Sequence, residues 1–313
     1  MQDISLQNIE QDLIAASQHQ PVLLDIWAPW CGPCKALSPV LERLEAEYAG
    51  RFLVAKLNSD EQPEIAGQLS QMFGVRSIPF CVLFKDGQPV DGFVGALPEA
   101  QVRAFLDKHL PSIAERAAEQ EAAEAESLMA QGDLGNALDK LQEAVTLDPA
   151  NDSARFDYLR ALLTAGQVDD ARRVYEPVAQ RVMQDPRFAA CGLWLDAHDR
   201  VATARPVAQL EAAIAQNKRD FDARFELAQT HFAALRFTDA MDQLLEILMR
   251  DKGWCDQLAR KTFVAVLEVM TRSVPHGPSA PAKTTLELAG APAAVASDPV
   301  VDAYRRKLSM TLF

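Results

Sequence analysis

A chain of 313 residues, 49% hydrophobic and 24% charged, carries apolar material for about two globular domains, which excludes disorder throughout. Its net charge is −13, with both the first 110 residues and the remainder acidic, so no nucleic-acid partner is expected, because phosphate binding needs a basic face. The opening MQDISLQNIEQDLI joins no basic stretch to an apolar one, and nowhere does an uncharged apolar run approach the roughly 20 residues of a membrane helix; a cytosolic protein with no membrane partner is expected.

The first 110 residues alternate between helical and strand periodicity. Ile9, Leu13 and Ile14 predict a helix over Asn8 to Ser17, and Pro21 to Trp27 reads as a strand. Pro33 to Tyr48 follows as a helix with Leu37, Val40, Leu41 and Leu44 on one face, kinked at Pro39, which has no N–H to give. Then come a strand over Phe52 to Leu57, a helix over Glu64 to Phe73, a strand over Phe80 to Phe84, a turn at Lys85-Asp86-Gly87-Gln88, a strand over Val90 to Val94 and a helix over Glu99 to His109. The expected architecture is a small mixed sheet with helices on both faces.

From Pro111 onward strand signals vanish and helical periodicity repeats. Gly132-Asp133-Leu134-Gly135-Asn136-Ala137-Leu138 is echoed 34 residues on by Gly166-Gln167-Val168-Asp169-Asp170-Ala171-Arg172, and Ala154-Arg155-Phe156 returns as Ala223-Arg224-Phe225. That period is tetratricopeptide-like. Ala137, Ala171 and Ala240 supply the small residues of the helix crossings, with Leu141, Tyr175 and Leu244 four positions on and Pro149 closing the first unit. The stretch Asp185 to Gln216 matches poorly, so three to four helix pairs are expected, the third degenerate, stacked as a solenoid with a concave peptide groove. Ser273 to Pro299, rich in proline and alanine, reads as an insertion. Beyond it Val301, Tyr304, Leu308 and Leu312 recur at helical spacing beside Arg305-Arg306-Lys307, an amphipathic helix that could equally cap the solenoid.

Chemistry concentrates at Trp30-Cys31-Gly32-Pro33-Cys34-Lys35. Five cysteines of which only two are close in sequence do not make a disulfide framework. The pair could be half a zinc site, an inert motif or a redox couple. Zinc needs four ligands, whereas Cys81, Cys191 and Cys255 are singletons in apolar contexts, read as buried and inert, with Cys255 beside Trp254 the one to watch for oxidation. The strand before the pair and the helix after it favour the redox couple. At a helix start the unpaired N–H groups and the dipole favour a thiolate at Cys31, and Cys34, one turn in, is placed to resolve a mixed disulfide.

Asp25, in an otherwise apolar strand, should carry a raised pKa and reads as the proton acceptor for Cys34, directly or through water, with Lys56 as its charge partner. Trp30 could form an apolar shelf for a polypeptide, Ile78-Pro79 an edge for an extended one, and Gly95-Ala96 the opposite wall. The histidines at 19, 109, 198, 231 and 276 read as structural or solvated.

Residues 1–110 resemble thioredoxin through WCGPCK, the strand Asp25, VAKLNSD with Lys56, GVRSIPF, LFKDGQPV and FVGAL. With the repeats behind it and DAYRRKLSMTLF at the end, the chain is similar to the bacterial chaperedoxin family. The resemblance implies an α/β thioredoxin fold (1–110), an all-α tetratricopeptide-like solenoid (111–272), an insertion (273–299) and a C-terminal amphipathic helix (300–313). It further implies catalytic Cys31, Cys34, Asp25 and Lys56, a substrate groove of Trp30, Gly32, Pro33, Ile78, Pro79, Gly95 and Ala96 with a cis bond before Pro79, and no cofactor or metal beyond the redox-active Cys31–Cys34 disulfide. Family members are cytosolic holdases that shield client cysteines as mixed disulfides and pass unfolded or oxidised client proteins to the chaperonin GroEL and the DnaK system. Thioredoxin reductase is a further candidate partner. Chaperonin docking falls by resemblance to Tyr304, Arg305, Arg306, Leu308 and Leu312. Three departures stand out: both cysteines are retained where some members lack the first, Phe80 follows Pro79 where many thioredoxins have threonine, and the insertion after Arg272 bears on how the tail is presented. The competing expectation is a non-enzymatic adaptor or holdase whose thioredoxin-like part is scaffold.

Overall fold

The computed structural model describes residues 1–181, 183, 185–271 and 298–312, without the side chain of Leu312. It divides into two compact units, with the break between Ile113 and Ala114. Apart from its last two residues, the insertion expected at 273–299 lies outside the described residues, as does His276, and Pro299 already opens the last helix.

The first unit is a five-stranded sheet of order β1-β3-β2-β4-β5. Its strands are β1 (Gln2–Asp3), β2 (Val22–Trp27), β3 (Leu53–Asn58), β4 (Phe80–Lys85) and β5 (Gln88–Val94). β1, β3 and β2 run parallel, and β4 and β5 return antiparallel. Because side chains alternate along β2, Leu24 and Ile26 meet the helices on one face, and Leu23 meets those on the other. The first face is covered by a π-helical turn (Ile9–Ala15) running into α1 (Ala16–His19), and by α3 (Pro63–Phe73). The second is covered by α2 (Gly32–Glu47) and α4 (Glu99–His109). Asp86 and Gly87 both take positive φ, the conformation a two-residue hairpin turn requires, and Asp-Gly tolerates it. At Gly92 a Cβ would lie 2.7 Å from the Cys81 carbonyl oxygen, so β5 can approach β4 only with glycine there.

Two local features differ from expectation. β1 adds an edge strand that two exposed polar residues could not announce. The first helix starts in π geometry, its Asn8 carboxamide accepting from the Ser5 N–H at 2.7 Å instead of capping a helical amide. As expected, α2 carries Pro39 inside one helix of 16 residues.

The second unit is helical: α5 (Ile113–Ala130), α6 (Leu134–Leu147), α7 (Asp152–Thr164), α8 (Val168–Tyr175), a 3-10 turn (Glu176–Arg181), α9 (Pro186–Val201), α10 (Val207–Gln216), α11 (Phe221–Ala233), α12 (Phe237–Leu248), α13 (Trp254–Met270) and α14 (Pro299–Leu312). Asp133, Asn151, Asp185 and Asp220 cap α6, α7, α9 and α11 through side-chain oxygens. Ala137, Ala171 and Ala240 are fully buried where neighbouring helices cross. The repeated Ala-Arg-Phe motif buries its arginines. Arg155 donates to the carbonyls of Pro149 and Val174, and Arg224 to the Lys218 carbonyl and Gln243 Oε1. The poorly matching stretch forms a helix pair nonetheless, α9 and α10, with Phe188, Cys191 and Trp194 of α9 in the main core. A Cβ on Gly192 would lie 2.4 Å from the Tyr175 hydroxyl, so glycine there lets α8 lie against α9.

Two expectations need correction. Cys255 is exposed, not buried, in a left-handed turn at the head of α13 where Asp256 and Gln257 also take positive φ. In the tail helix, Val301 and Tyr304 are buried in the solenoid core and Leu308 packs against it. The Tyr304 hydroxyl donates to Asp242 Oδ1 at 2.8 Å. Tyr304 and Leu308 therefore cap the helical stack instead of offering a docking face. Arg305 and Arg306 remain exposed, and Leu312's side chain lies outside the described residues. Tyr304→Ala should destabilise the helical unit by about 3 kcal/mol, as expected for removing a buried aromatic, whereas Arg306→Ala should stay within about 0.5 kcal/mol of wild type. Urea unfolding followed by circular dichroism distinguishes the two; equal effects would refute the capping role.

Candidate redox site

β2 ends at Trp27, and the chain turns through Ala28, whose carbonyl accepts from the Cys31 N–H at 3.0 Å. Cys31 is then the N-cap of α2: its backbone is extended and its Sγ accepts from the Cys34 N–H at 3.2 Å. Pro33 occupies the first turn, where no N–H is missed. Cys31 and Cys34 are joined as a disulfide of 2.01 Å. Cys31 is 4% exposed and Cys34 1%, so access to the pair is narrow and on the Cys31 side. The same amide that now caps the sulfur would stabilise a thiolate after reduction.

Around the disulfide, Ala28, Trp27 and Ile78 make its apolar packing. The Ile78–Pro79 bond is cis, and the Pro79 carbonyl accepts from the Gly95 N–H at 2.8 Å, which ties the end of β5 to this loop. Gly95 has φ +89°, and a Cβ on it or on Gly32 would meet nothing within 4 Å, so both border open space. Ala96 is exposed. Trp30 is 70% exposed, and its Nε1 donates to Asp60 Oδ2 at 3.0 Å.

Asp25 is wholly buried in the middle of β2, paired in register with Lys56 on β3 and Cys81 on β4. The Cys81 thiol donates to Oδ1 at 3.8 Å, while Oδ2 is buried with no hydrogen bond. Burial pushes the carboxyl from 3.8 up to about 6, a rise held back by the Lys56 charge and by the Cys81 and Ser38 side chains. The Lys56 ammonium makes its ion pair with Glu42, at 3.8 Å, and lies 5.9 Å from the Trp27 ring centre. Lys56 thus acts on Asp25 as a charge partner through its field, while its ion pair is made with Glu42.

Sequence reasoning missed Ser38, Glu42, Cys81 and Asp60. Cys34, Ser38 and Glu42 are spaced four apart, one stripe of α2, a signal that was available. Cys81 enters only through the antiparallel register of β4. Among the described residues no group of three or more His, Cys, Asp or Glu could hold a metal, and no helix is long and apolar enough to cross a membrane.

A redox disulfide at the N-terminus of a helix, on a mixed sheet with a buried aspartate beneath it, defines a thiol–disulfide oxidoreductase of the thioredoxin class. Residues 3–108 match the thioredoxin family, and residues 128–191 and 200–276 each match a tetratricopeptide repeat family. The chain is 49% identical over 90 residues to thioredoxin 1 of Synechococcus elongatus, covering 29% of this chain and 80% of that protein. It is 41% identical over 107 residues to the thioredoxin of Haemophilus influenzae, 34% of this chain and 96% of that one. Against the chloroplastic M-type thioredoxin of Pisum sativum it is 40% identical over 99 residues, 32% and 55% of the two chains. The chain belongs to the thioredoxin family, with its Cys31–Cys34 disulfide at the active-site position and a tetratricopeptide region following.

The raised proton affinity of Asp25 has a stability consequence of definite sign. Between about pH 4 and pH 6 the folded protein holds a proton that the unfolded chain has lost, so stability falls as pH rises through that window and levels off above it. A rise from 3.8 to about 6 corresponds to about 3 kcal/mol at 1.36 kcal/mol per pH unit. Oxidised Asp25→Asn, which cannot ionise, should be more stable than wild type by up to that amount at pH 7, with the gap closing below pH 4. Denaturant titrations across pH check this; a gap independent of pH would assign the effect to packing.

Proposed function

We propose that this protein is a redox-active co-chaperone of the chaperedoxin type, acting in the bacterial cytosol. It reduces client disulfides, shields client cysteines as mixed disulfides, holds unfolding or oxidised client proteins, and passes them to the chaperonin GroEL and the DnaK system. The observation that carries this reading is the joining, in one chain, of a thioredoxin disulfide site to a capped tetratricopeptide solenoid. In the reduced protein, the Cys31 thiolate attacks a client disulfide, forming a Cys31–client bond and expelling the other client sulfur as a thiolate. The Cys34 thiol then gives its proton to Asp25 and attacks Cys31 Sγ. That step restores the Cys31–Cys34 disulfide and releases the second client thiolate. Two electrons pass to the client, whose two thiolates take up protons from solvent as Asp25 gives up the one it holds, and an external dithiol or a thioredoxin reductase then restores the reduced Cys31–Cys34 pair. Ile78, Pro79, Gly95, Ala96 and the exposed Trp30 border the client path, and Gly32 and Pro33 keep the helix start open to it.

Dithiothreitol-driven reduction of insulin should be accelerated by wild type and return to the uncatalysed rate in Cys31→Ser, while Cys34→Ser should accumulate a client adduct reversed by reductant. A wild type that does not accelerate the reaction would remove the reductase role. The second reading, an adaptor or holdase that needs no thiol, is favoured by the size of the helical unit, which takes up most of the described chain. The same Cys31→Ser protein decides between them: suppression of client aggregation equal to wild type assigns holding to the helices alone.

For the chaperonin contact, the tail's outward face is left to Arg305, Arg306, Lys307 and Met310, all exposed. Arg305→Glu with Arg306→Glu should reduce co-purification of the chaperonin at least tenfold while insulin reduction is unchanged. Undiminished co-purification would move the contact elsewhere.

A further inference from the structure

Cys81 is wholly buried on β4 among Leu23, Leu83 and Phe93, a setting in which a free cysteine ordinarily serves as a small apolar side chain. What sets it apart is its neighbour. It stands opposite Asp25 in the β2–β4 register, and its thiol points its one proton at Asp25 Oδ1, 3.8 Å away. The groups around the carboxylate are few. From β3 comes the Lys56 ammonium, itself shared with Glu42 of α2; from α2 come Ser38 and, one turn before it, Cys34, whose carbonyl accepts from the Ser38 hydroxyl at 3.3 Å. From β4 comes Cys81. Trp27 of β2 has its ring centre 5.9 Å from the Lys56 ammonium, with its Nε1 buried and making no hydrogen bond.

We propose that Cys81 is a positioning residue for the proton transfer at this site: its S–H holds the Asp25 carboxylate as an acceptor through Oδ1 and leaves Oδ2 free to take the Cys34 proton. This rests on the reading of Asp25 as the base for Cys34. A thiol suits the task because it donates weakly and can rotate. It stabilises the anion enough to keep Asp25 ionised near neutral pH, and once Oδ2 is protonated the Oδ1 carbonyl oxygen still accepts from it. The thiol itself stays protonated, since burial and then the adjacent Asp25 charge push its pKa well above the usual range. No electron passes through Cys81, and the Cys31–Cys34 exchange is unchanged in its balance. The proton leaves Cys34 Sγ for Asp25 Oδ2, the Cys34–Cys31 bond forms, and the Cys31–client bond breaks.

The test compares Cys81→Ala, Cys81→Ser and wild type in the full-length chain by two independent readouts. The Asp25 midpoint is read by carbon-13 carboxyl NMR on the oxidised protein, where no turnover is needed. The acidic limb of the insulin-reduction pH profile is read on the same variants. Loss of the donor in the alanine variant should raise the midpoint and shift the acidic limb to higher pH by about half a unit or more. Serine, a stronger donor that fits the same space, should bring both back to or below wild type. In an Asp25→Asn background, Cys81→Ala should leave the profile where Asp25→Asn alone puts it. Coincident midpoints in all three proteins would overturn the proposal, as would a shifted midpoint with an unshifted rate profile. Serine separates lost hydrogen bonding from lost packing should the alanine variant fold poorly. Failure of wild type to reduce insulin would be a failure of the reductase reading, visible without any variant.

Discussion

One buried carboxylate sets the terms for the rest of the redox domain. β2 is the central strand, so a side chain in its middle has partners on both sides, Lys56 from β3 and Cys81 from β4. α2 closes over that face with the stripe Cys34, Ser38 and Glu42. An ionised Asp25 is costly there, and Lys56, Cys81 and Ser38 lower that cost without abolishing it. A carboxyl left with a proton affinity near neutrality can exchange a proton at cellular pH, which a fully paired aspartate could not. Stability is given up at the place where the proposed exchange needs a proton acceptor.

The same geometry explains which parts of the site could be read from sequence. Asp25 was conspicuous because a charge interrupts the run VLLDIW, and Cys31 because a strand, a short turn and a prolyl first turn fix it as a helix N-cap. Cys81 looked like any core thiol. Its significance arises from strand pairing between residues 56 apart, and local periodicity carries no information about which residues stand opposite. The pairing of Lys56 with Glu42 was hidden for a similar reason, since it depends on how α2 lies across β3. β1 escaped notice because two exposed residues have no pattern.

In the helical unit the legible part was the part set by close packing. Alanine at 137, 171 and 240 repeats because helix crossings exclude larger side chains, and Arg155 and Arg224 repeat because each satisfies carbonyls left open at a helix end or loop. The third pair lost that signature yet kept its place by another route, with Trp194 stacked on Phe232 at 5.5 Å and Gly192 admitting Tyr175. The tail shows the limit of amphipathic pattern. Spacing of Val301, Tyr304 and Leu308 indicates that one face of a helix will be covered, and only the fold says that the cover is the chain's own core.

That self-coverage bears on how the two proposed roles can be combined. A helix that uses its apolar face to seal the end of a solenoid presents mainly charge outward, so contact with a large partner through it would be electrostatic, salt-sensitive and readily reversed. The disulfide face is the opposite case, with a narrow apolar opening beside an exposed tryptophan and a bond that, once exchanged, holds until a second thiolate releases it. Reversible contact through the tail helix and covalent capture at the disulfide would suit the co-chaperone role proposed above, in which a client is kept while unfolded and then surrendered whole. In the proposed exchange, release is governed by the Cys34 proton. Asp25, the acceptor proposed for that proton, lies buried under α2, so in that scheme the timing of release is set inside the fold and not by whatever the client happens to offer.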